Sequence, residues 1–166
     1  MSKSERPDAK IREVSKEFSF DVVTYTIQVE EMLTSIICLQ LSKEWMKTFS
    51  YRDYFENVGF DNKINLAEII LETNYPKILE KFPTIFEEIR NMKKLRNLVS
   101  HRNRHYEMDS EGKNTKFVLT HRIIKKQIRL NVQQMKKETI KLEKCVKDVE
   151  EILNLIANHF GIRAVV

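Results

Sequence analysis

Ile11, Val14, Phe18, Val22, Tyr25, Val29, Met32, Ile36 and Leu39 follow one another at steps of three or four. That spacing keeps one face of an α-helix apolar for about eight turns and predicts a first helix from about Asp8 to Thr48. Pro7 and Asp8 suit its start, while residues 1–7 are expected to be flexible. The aromatic segment Phe49 to Phe60, with Gly59 near its end, predicts a packed connector. Asp61 is placed to cap a second helix whose apolar face is Ile64, Leu66, Ile69, Ile70 and Leu71. Asn74-Tyr75-Pro76 ends that helix, because the residue before a proline is pushed out of the α region.

A short helix is expected after Pro76, then a longer one from near Pro83 through Ile85, Phe86, Ile89, Met92, Leu95 and Val99 to about Arg104. Tyr106 to Met108, the turn-like stretch Asp109 to Asn114 and the run Thr115 to Thr120 predict a small β-hairpin or ordered loop near 105–121. From Ile128 through Val132, Met135, Thr139, Leu142, Val146, Val149, Leu153 and Ile156 to Phe160 the apolar positions keep a 4,3 spacing. They predict a last helix about 55 Å long at 1.5 Å per residue. The expected fold class is all-α: one domain over 1–166, an antiparallel up-and-down bundle with two long terminal helices. The last heptad stretch could equally serve an intermolecular seam.

Composition narrows the picture. Only three Gly and three Pro in 166 residues disfavour turn-rich β architectures and disordered chains. Cys38 and Cys145 stand far apart with no Cys or His at ligand spacing, so neither a metal site nor a cofactor is expected. The N-terminus lacks an apolar leader and no run of about 18 apolar residues occurs, so the expectation is a cytoplasmic protein without membrane contact. Trp45 and the methionines, at helical spacing, are expected in the core. No phosphate-binding glycine loop, H-E-x-x-H or G-x-S-x-G motif is present.

Charge adds a second layer. The net charge is +5, yet Arg90 to Arg129 holds twelve basic residues against three acidic ones. That window therefore carries +9 and the rest of the chain −4. A local cationic surface suggests a polyanion partner, with nucleic acid foremost; a solvated helix face is the plainer reading.

Within the window, Lys93, Arg96, Asn97, Ser100, His101 and Arg104 fall within about 140° of one helix circumference at 100° per residue. Asn97 and His101 are one turn apart and can meet. Arg96-Asn97 followed by His101 reads R-N-x-x-x-H, and here the chain resembles the HEPN superfamily of helical-bundle proteins. The segment Phe60 to Leu66 and the long first and last helices are similar to that plan, over roughly Asp8 to Phe160. The resemblance implies a metal-independent endoribonuclease, a toxin or antiviral defence effector, working as a homodimer in which two motifs face one cleft. It also implies an antitoxin or regulatory protein as a partner. Where some members carry a Tyr two residues after the motif His, modified by a partner nucleotidyltransferase, this chain has Asn103.

The residue types suit that chemistry. Cleaving RNA without a metal needs one group to take the 2′-OH proton, another to protonate the leaving 5′-oxygen, and cations to hold the phosphorane charge. His101 can do either proton job near neutral pH, and a second copy supplies the second imidazole. Arg96 offers a fixed fork to a phosphate, and Asn97 can orient the imidazole or hold a phosphate oxygen. Lys93, Lys94, Arg102 and Arg104 are candidate RNA contacts, and Tyr106 could stack on a base or serve the hairpin core. Against this stand structural readings: His101 bonded to a neighbouring helix, Arg96 in an ion pair, and a non-catalytic RNA-binding or protein-interaction module.

Overall fold

The computed structural model describes residues 7–41, 52–100, 103–108, 115–120 and 127–161. Helix accounts for 79% of them, in six segments, beside one three-stranded antiparallel sheet. The helices are α1 (Pro7–Leu41), α2 (residues 52–56), α3 (Phe60–Asn74), α4 (Pro76–Leu79), α5 (Ile85–Ser100) and α6 (Val132–His159). The strands are β1 (Asn103–Met108), β2 (Thr115–Thr120) and β3 (Gln127–Leu130), in the order β1-β2-β3. The contacts divide the chain into two compact units. One comprises residues 1–25 and 92–143, the other residues 26–91 and 144–166.

In the first unit, Ile11, Phe18 and Val22 of α1, Leu98 and Val99 of α5 and Met135 of α6 are buried. Three consecutive residues of β2, Phe117, Val118 and Leu119, are buried as well. A central strand covered on both faces requires such an unbroken apolar run. The hairpin expectation is therefore extended by a third strand. Ile128, assigned by spacing to the last helix, instead alternates with Leu130 along β3, with Phe117 opposite Leu130 and Leu119 opposite Ile128. The helix starts later because Asn131 and Gln134 form a reciprocal cap. The Gln134 N–H donates to Asn131 Oδ1 at 2.8 Å and the Asn131 N–H donates to Gln134 Oε1 at 2.9 Å. The 28 residues of α6 make a helix of about 42 Å, shorter than expected.

In the second unit, Val29, Leu33, Ile36 and Ile37 of α1 are buried together with Ile64, Ala67 and Leu71 of α3 and Ile152 and Ile156 of α6. Three expectations need correction here. The aromatic connector contains α2, with Phe55 buried and Tyr54 exposed. Asp61 does not cap α3: the helix already begins at Phe60, Gly59 occupies the cap position without a side-chain bond, and Asp61 lies in the first turn. Ile69 is 57% exposed, because Ala67 and the aliphatic stem of Lys63 fill the buried face in its place. The proline rule holds, with α3 ending at Asn74 and α4 beginning at Pro76.

Lys63 is the most buried charge, its side chain 6% exposed and its Nζ 2.9 Å from Glu30 Oε1. Segment Ala9–Leu41 is, by average hydropathy, long and apolar enough to cross a membrane, although it holds no uninterrupted apolar run. Its most apolar window is half buried within the protein, as in the core helix of a soluble protein. Buried Ser19 and Thr34 return their hydroxyls to the helix, donating to Ser15 O at 2.7 Å and Glu30 O at 2.9 Å. Trp45 and the end of the predicted first helix lie outside the described residues. Of the methionines, Met92 and Met135 are buried, whereas Met108 is 59% exposed on β1.

Candidate functional site

Helix α5 carries Arg96 and Asn97 of the motif. Its start is set by Thr84, whose hydroxyl donates to Glu88 Oε1 at 2.7 Å while the Glu88 N–H donates to Thr84 O at 3.0 Å. Glu87 and Glu88 in the first turn suit the positive end of the helix dipole. Phe86, Ile89, Met92 and Val99 are buried and fix which face looks outward.

Arg96 and Asn97 are half-buried neighbours; at 100° per residue Arg96 points within about 20° of Ile89, and Asn97 within about 20° of Phe86. Arg96 Nη1 donates to Asn97 Oδ1 at 3.4 Å, and Arg96 Nε is buried without a hydrogen-bond partner. A buried N–H without an acceptor costs about 1–3 kcal/mol. Ser100 is exposed. His101 and Arg102 lie outside the described residues, so the expected meeting of Asn97 with His101 is not among the contacts described.

Arg104 departs from the helical stripe. It lies on β1, where its Nη2 donates to Val99 O at 2.8 Å. The described helix runs to Ser100 and β1 begins at Asn103, so Arg104 satisfies a carbonyl of the last helical turn, the end that favours a cation. Lys93 is half-buried, Lys94 is exposed, and both already hold an interaction.

Other charges of the basic window are also engaged. Arg90 donates to both carboxylate oxygens of Glu68, at 3.1 Å from Nη1 and closer from Nη2, and to Asn65 Oδ1 at 3.2 Å. Arg129 Nε donates to Glu107 Oε2 at 2.8 Å, and His105 Nε2 lies 3.3 Å from Glu107 Oε1. Arg129 first, and His105 second, hold the Glu107 carboxyl below its ordinary range. Tyr106 serves structure: its hydroxyl is 2.8 Å from Ser15 Oγ, its ring lies 5.7 Å from Phe117, and the Arg12 guanidinium sits 5.3 Å over it. Phe117 and the Arg12 guanidinium therefore already pack against the ring.

One acidic cluster escaped the sequence reading. Asp21 and Tyr25, one turn apart on α1, share Glu143 of α6, and the Tyr25 hydroxyl donates to Glu143 Oε1 at 3.2 Å. Burial, then the Glu143 charge, raises the Asp21 carboxyl above its ordinary value. Only the i, i+4 spacing of Asp21 and Tyr25 was visible beforehand; their partner is 118 residues away.

The thiols are poor nucleophiles. Burial pushes Cys145 up to about 12 and also raises Cys38, although Arg52 and Lys63 pull the latter down. Among the described residues, no group of three or more His, Cys, Asp or Glu side chains is arranged to hold a metal ion. In comparisons with known proteins, no family model, no curated protein and no solved structure matches this chain.

Proposed function

We propose that the chain is a metal-independent endoribonuclease of HEPN type, its helices arranged as the antiparallel up-and-down bundle of that family. In this reading Arg96, Asn97 and His101 form the site, and a homodimer brings two copies to one cleft. The observation that carries the reading is the state of Arg96. Its guanidinium leans on Asn97 with a buried Nε–H still open, five residues before His101 in the sequence. An oxyanion is the acceptor that geometry favours, because a guanidinium edge matches a phosphate in the plane of its fork.

The roles follow from chemistry. One His101 removes the 2′-OH proton as the oxygen attacks phosphorus; the His101 of the second copy protonates the departing 5′-oxygen. Arg96 stabilises the charge that develops on the phosphorane, and Asn97 holds the guanidinium in place. The products are a 2′,3′-cyclic phosphate and a 5′-OH end. Lys93, Lys94 and Arg102 are the remaining candidates for flanking phosphates. Arg104 is withdrawn from that role, since its guanidinium caps α5. The setting is the cytoplasm, where free, buried Cys38 and Cys145 remain reduced, and the biological role is that of a toxin or defence effector held by an antitoxin or regulatory partner.

The test is cleavage of labelled RNA in EDTA by the full chain, with analysis of the product ends. His101→Ala and Arg96→Ala should each lose activity, and expression toxicity should fall with them. Undiminished cleavage by purified His101→Ala protein overturns the catalytic assignment. RNA binding that is equal in wild type and His101→Ala, with no cleavage, identifies a non-catalytic binding module instead.

A further inference from the structure

We infer that the cleft between α1, α2 and α3 binds a free amino acid with a cationic side chain, of the class of L-lysine. The inference goes beyond the ribonuclease reading and does not rest on it. Every residue that carries it belongs to the second unit, within residues 26–91.

The cleft holds about 210 Å³ and takes its walls from three helices. Ile27, Glu30, Glu31 and Thr34 line it from α1. At 100° per residue these four lie within about 100° of one another, so a single face of the helix forms that wall. Arg52 and Glu56, one turn apart, line it from α2, and Lys63 lines it from α3. Clefts for drug-sized ligands hold roughly 300–1,000 Å³, so the occupant is smaller than these, on the scale of one amino acid.

The charges divide into a matched pair and an open set. The Lys63 side chain is 6% exposed and lies 2.9 Å from Glu30 Oε1, which is its one acceptor among the described residues against three N–H donors. Arg52, Glu31 and Glu56 are exposed and hold no ion pair among the described residues. Arg52 and Lys63 both act on the Cys38 thiol of α1, so the two cations lie within electrostatic reach of one point.

An amino acid has the groups that this set would recognise. Its carboxylate suits the Arg52 fork and the remaining Lys63 donors, and its α-ammonium suits a carboxylate of the rim. Two such carboxylates, Glu31 and Glu56, stand on different helices, so the second is left for a cation at the end of the side chain. Ile27, 45% exposed, offers the intervening methylenes an apolar wall. The charge count selects the same ligand. Three carboxylates against two cations leave the cleft at −1, which a ligand of net charge +1 balances. A neutral amino acid leaves a carboxylate unmatched, and a diamine brings nothing for Arg52.

An NMR chemical-shift titration of the full chain with L-lysine tests this, with melting curves confirming that each variant folds. Binding should saturate with a Kd of about 1 mM or tighter. L-Norleucine lacks the terminal cation and cadaverine lacks the carboxylate, and each should bind about tenfold more weakly or worse. Nα-Acetyl-L-lysine, without the α-ammonium, should weaken equally, which separates a free amino acid from the C-terminal lysine of a peptide. Arg52→Met and Glu56→Gln change exposed side chains and should each weaken L-lysine binding about tenfold. Glu72→Gln, an exposed carboxylate of α3 that does not line the cleft, should leave binding unchanged. Absence of saturation, cadaverine or norleucine binding as tightly as L-lysine, equal binding of the acetylated form, or unaltered affinity in Arg52→Met overturns the proposal. Since the titration contains no RNA, a chain that cleaves nothing but binds L-lysine in this way still supports it.

Discussion

Arg90 and Arg96 stand six residues apart on α5 in opposite circumstances. Arg90 meets a carboxylate along two of its N–H groups and an amide along a third. Arg96 has one long bond to the amide of its own neighbour and a buried Nε–H with no acceptor. The first guanidinium is satisfied by the fold. The second is held in a setting that costs stability. The same contrast separates Lys63, sealed against Glu30, from Arg96.

The comparison breaks most readily at Lys63. Glu30→Ala leaves an ammonium that is almost fully buried without its carboxylate, and should cost about 3 kcal/mol or more in chemical denaturation. A loss below about 1 kcal/mol would mean that water reaches Lys63, and the satisfied side of the contrast would fail.

Next in size is Arg96→Ala, which should reduce RNA cleavage by about 100-fold or more, the scale of losing one transition-state donor. Its melting temperature should change less than that of Glu30→Ala, because the removed group was not fully bonded. A large loss of stability with intact cleavage would make Arg96 a structural residue like Arg90.

Arg90→Met should cost no more than about 1 kcal/mol, since the pair is partly exposed at 37% and 27%. Cleavage rates should stay within threefold of wild type, and a catalytic defect would erase the distinction between the two arginines.

The smallest effect concerns Asp21. Its folded carboxyl titrates above the ordinary value near 3.8, so the ionised form is disfavoured by folding. The resulting destabilisation is absent at pH well below 3.8 and grows as pH rises through the folded value. Asp21→Asn should therefore raise the melting temperature at neutral pH and leave it unchanged near pH 3. Equal shifts at both pH values would show that the effect is not electrostatic.

Much of the helical content was legible because burial of one face imposes a repeat of 3.6 on the chain. Ile11, Phe18, Val22, Val29, Ile36 and Leu39 are buried on α1 as that repeat requires. The stop at Asn74 and the restart at Pro76 follow from proline sterics alone. Ile128 was misassigned because two apolar residues separated by one satisfy a strand as well as the start of a heptad. The Asn131-Val132-Gln133-Gln134 cap was the local signal that places the boundary three residues later. Arg104 was misplaced for a related reason: a helical wheel continues a stripe for as long as it is drawn, whereas Arg104 lies on β1.

The candidate site divides along the same line. Its residue types, their spacing and the concentration of positive charge around them are properties of the sequence, since helix pitch converts spacing into a shared face. Which charges stay available is decided by partners remote in the chain: Glu68 for Arg90, 22 residues away, and Glu107 for Arg129, likewise 22 away. Ser15, 91 residues from Tyr106, turns a candidate stacking ring into a packed one. Hydrogen bonds and ion pairs act over a few ångströms in space whatever their separation along the chain. By itself the sequence determined the helices and the composition of the motif; the tertiary structure decided which of its cations are paired within the fold, and left the buried Arg96 Nε–H without an acceptor.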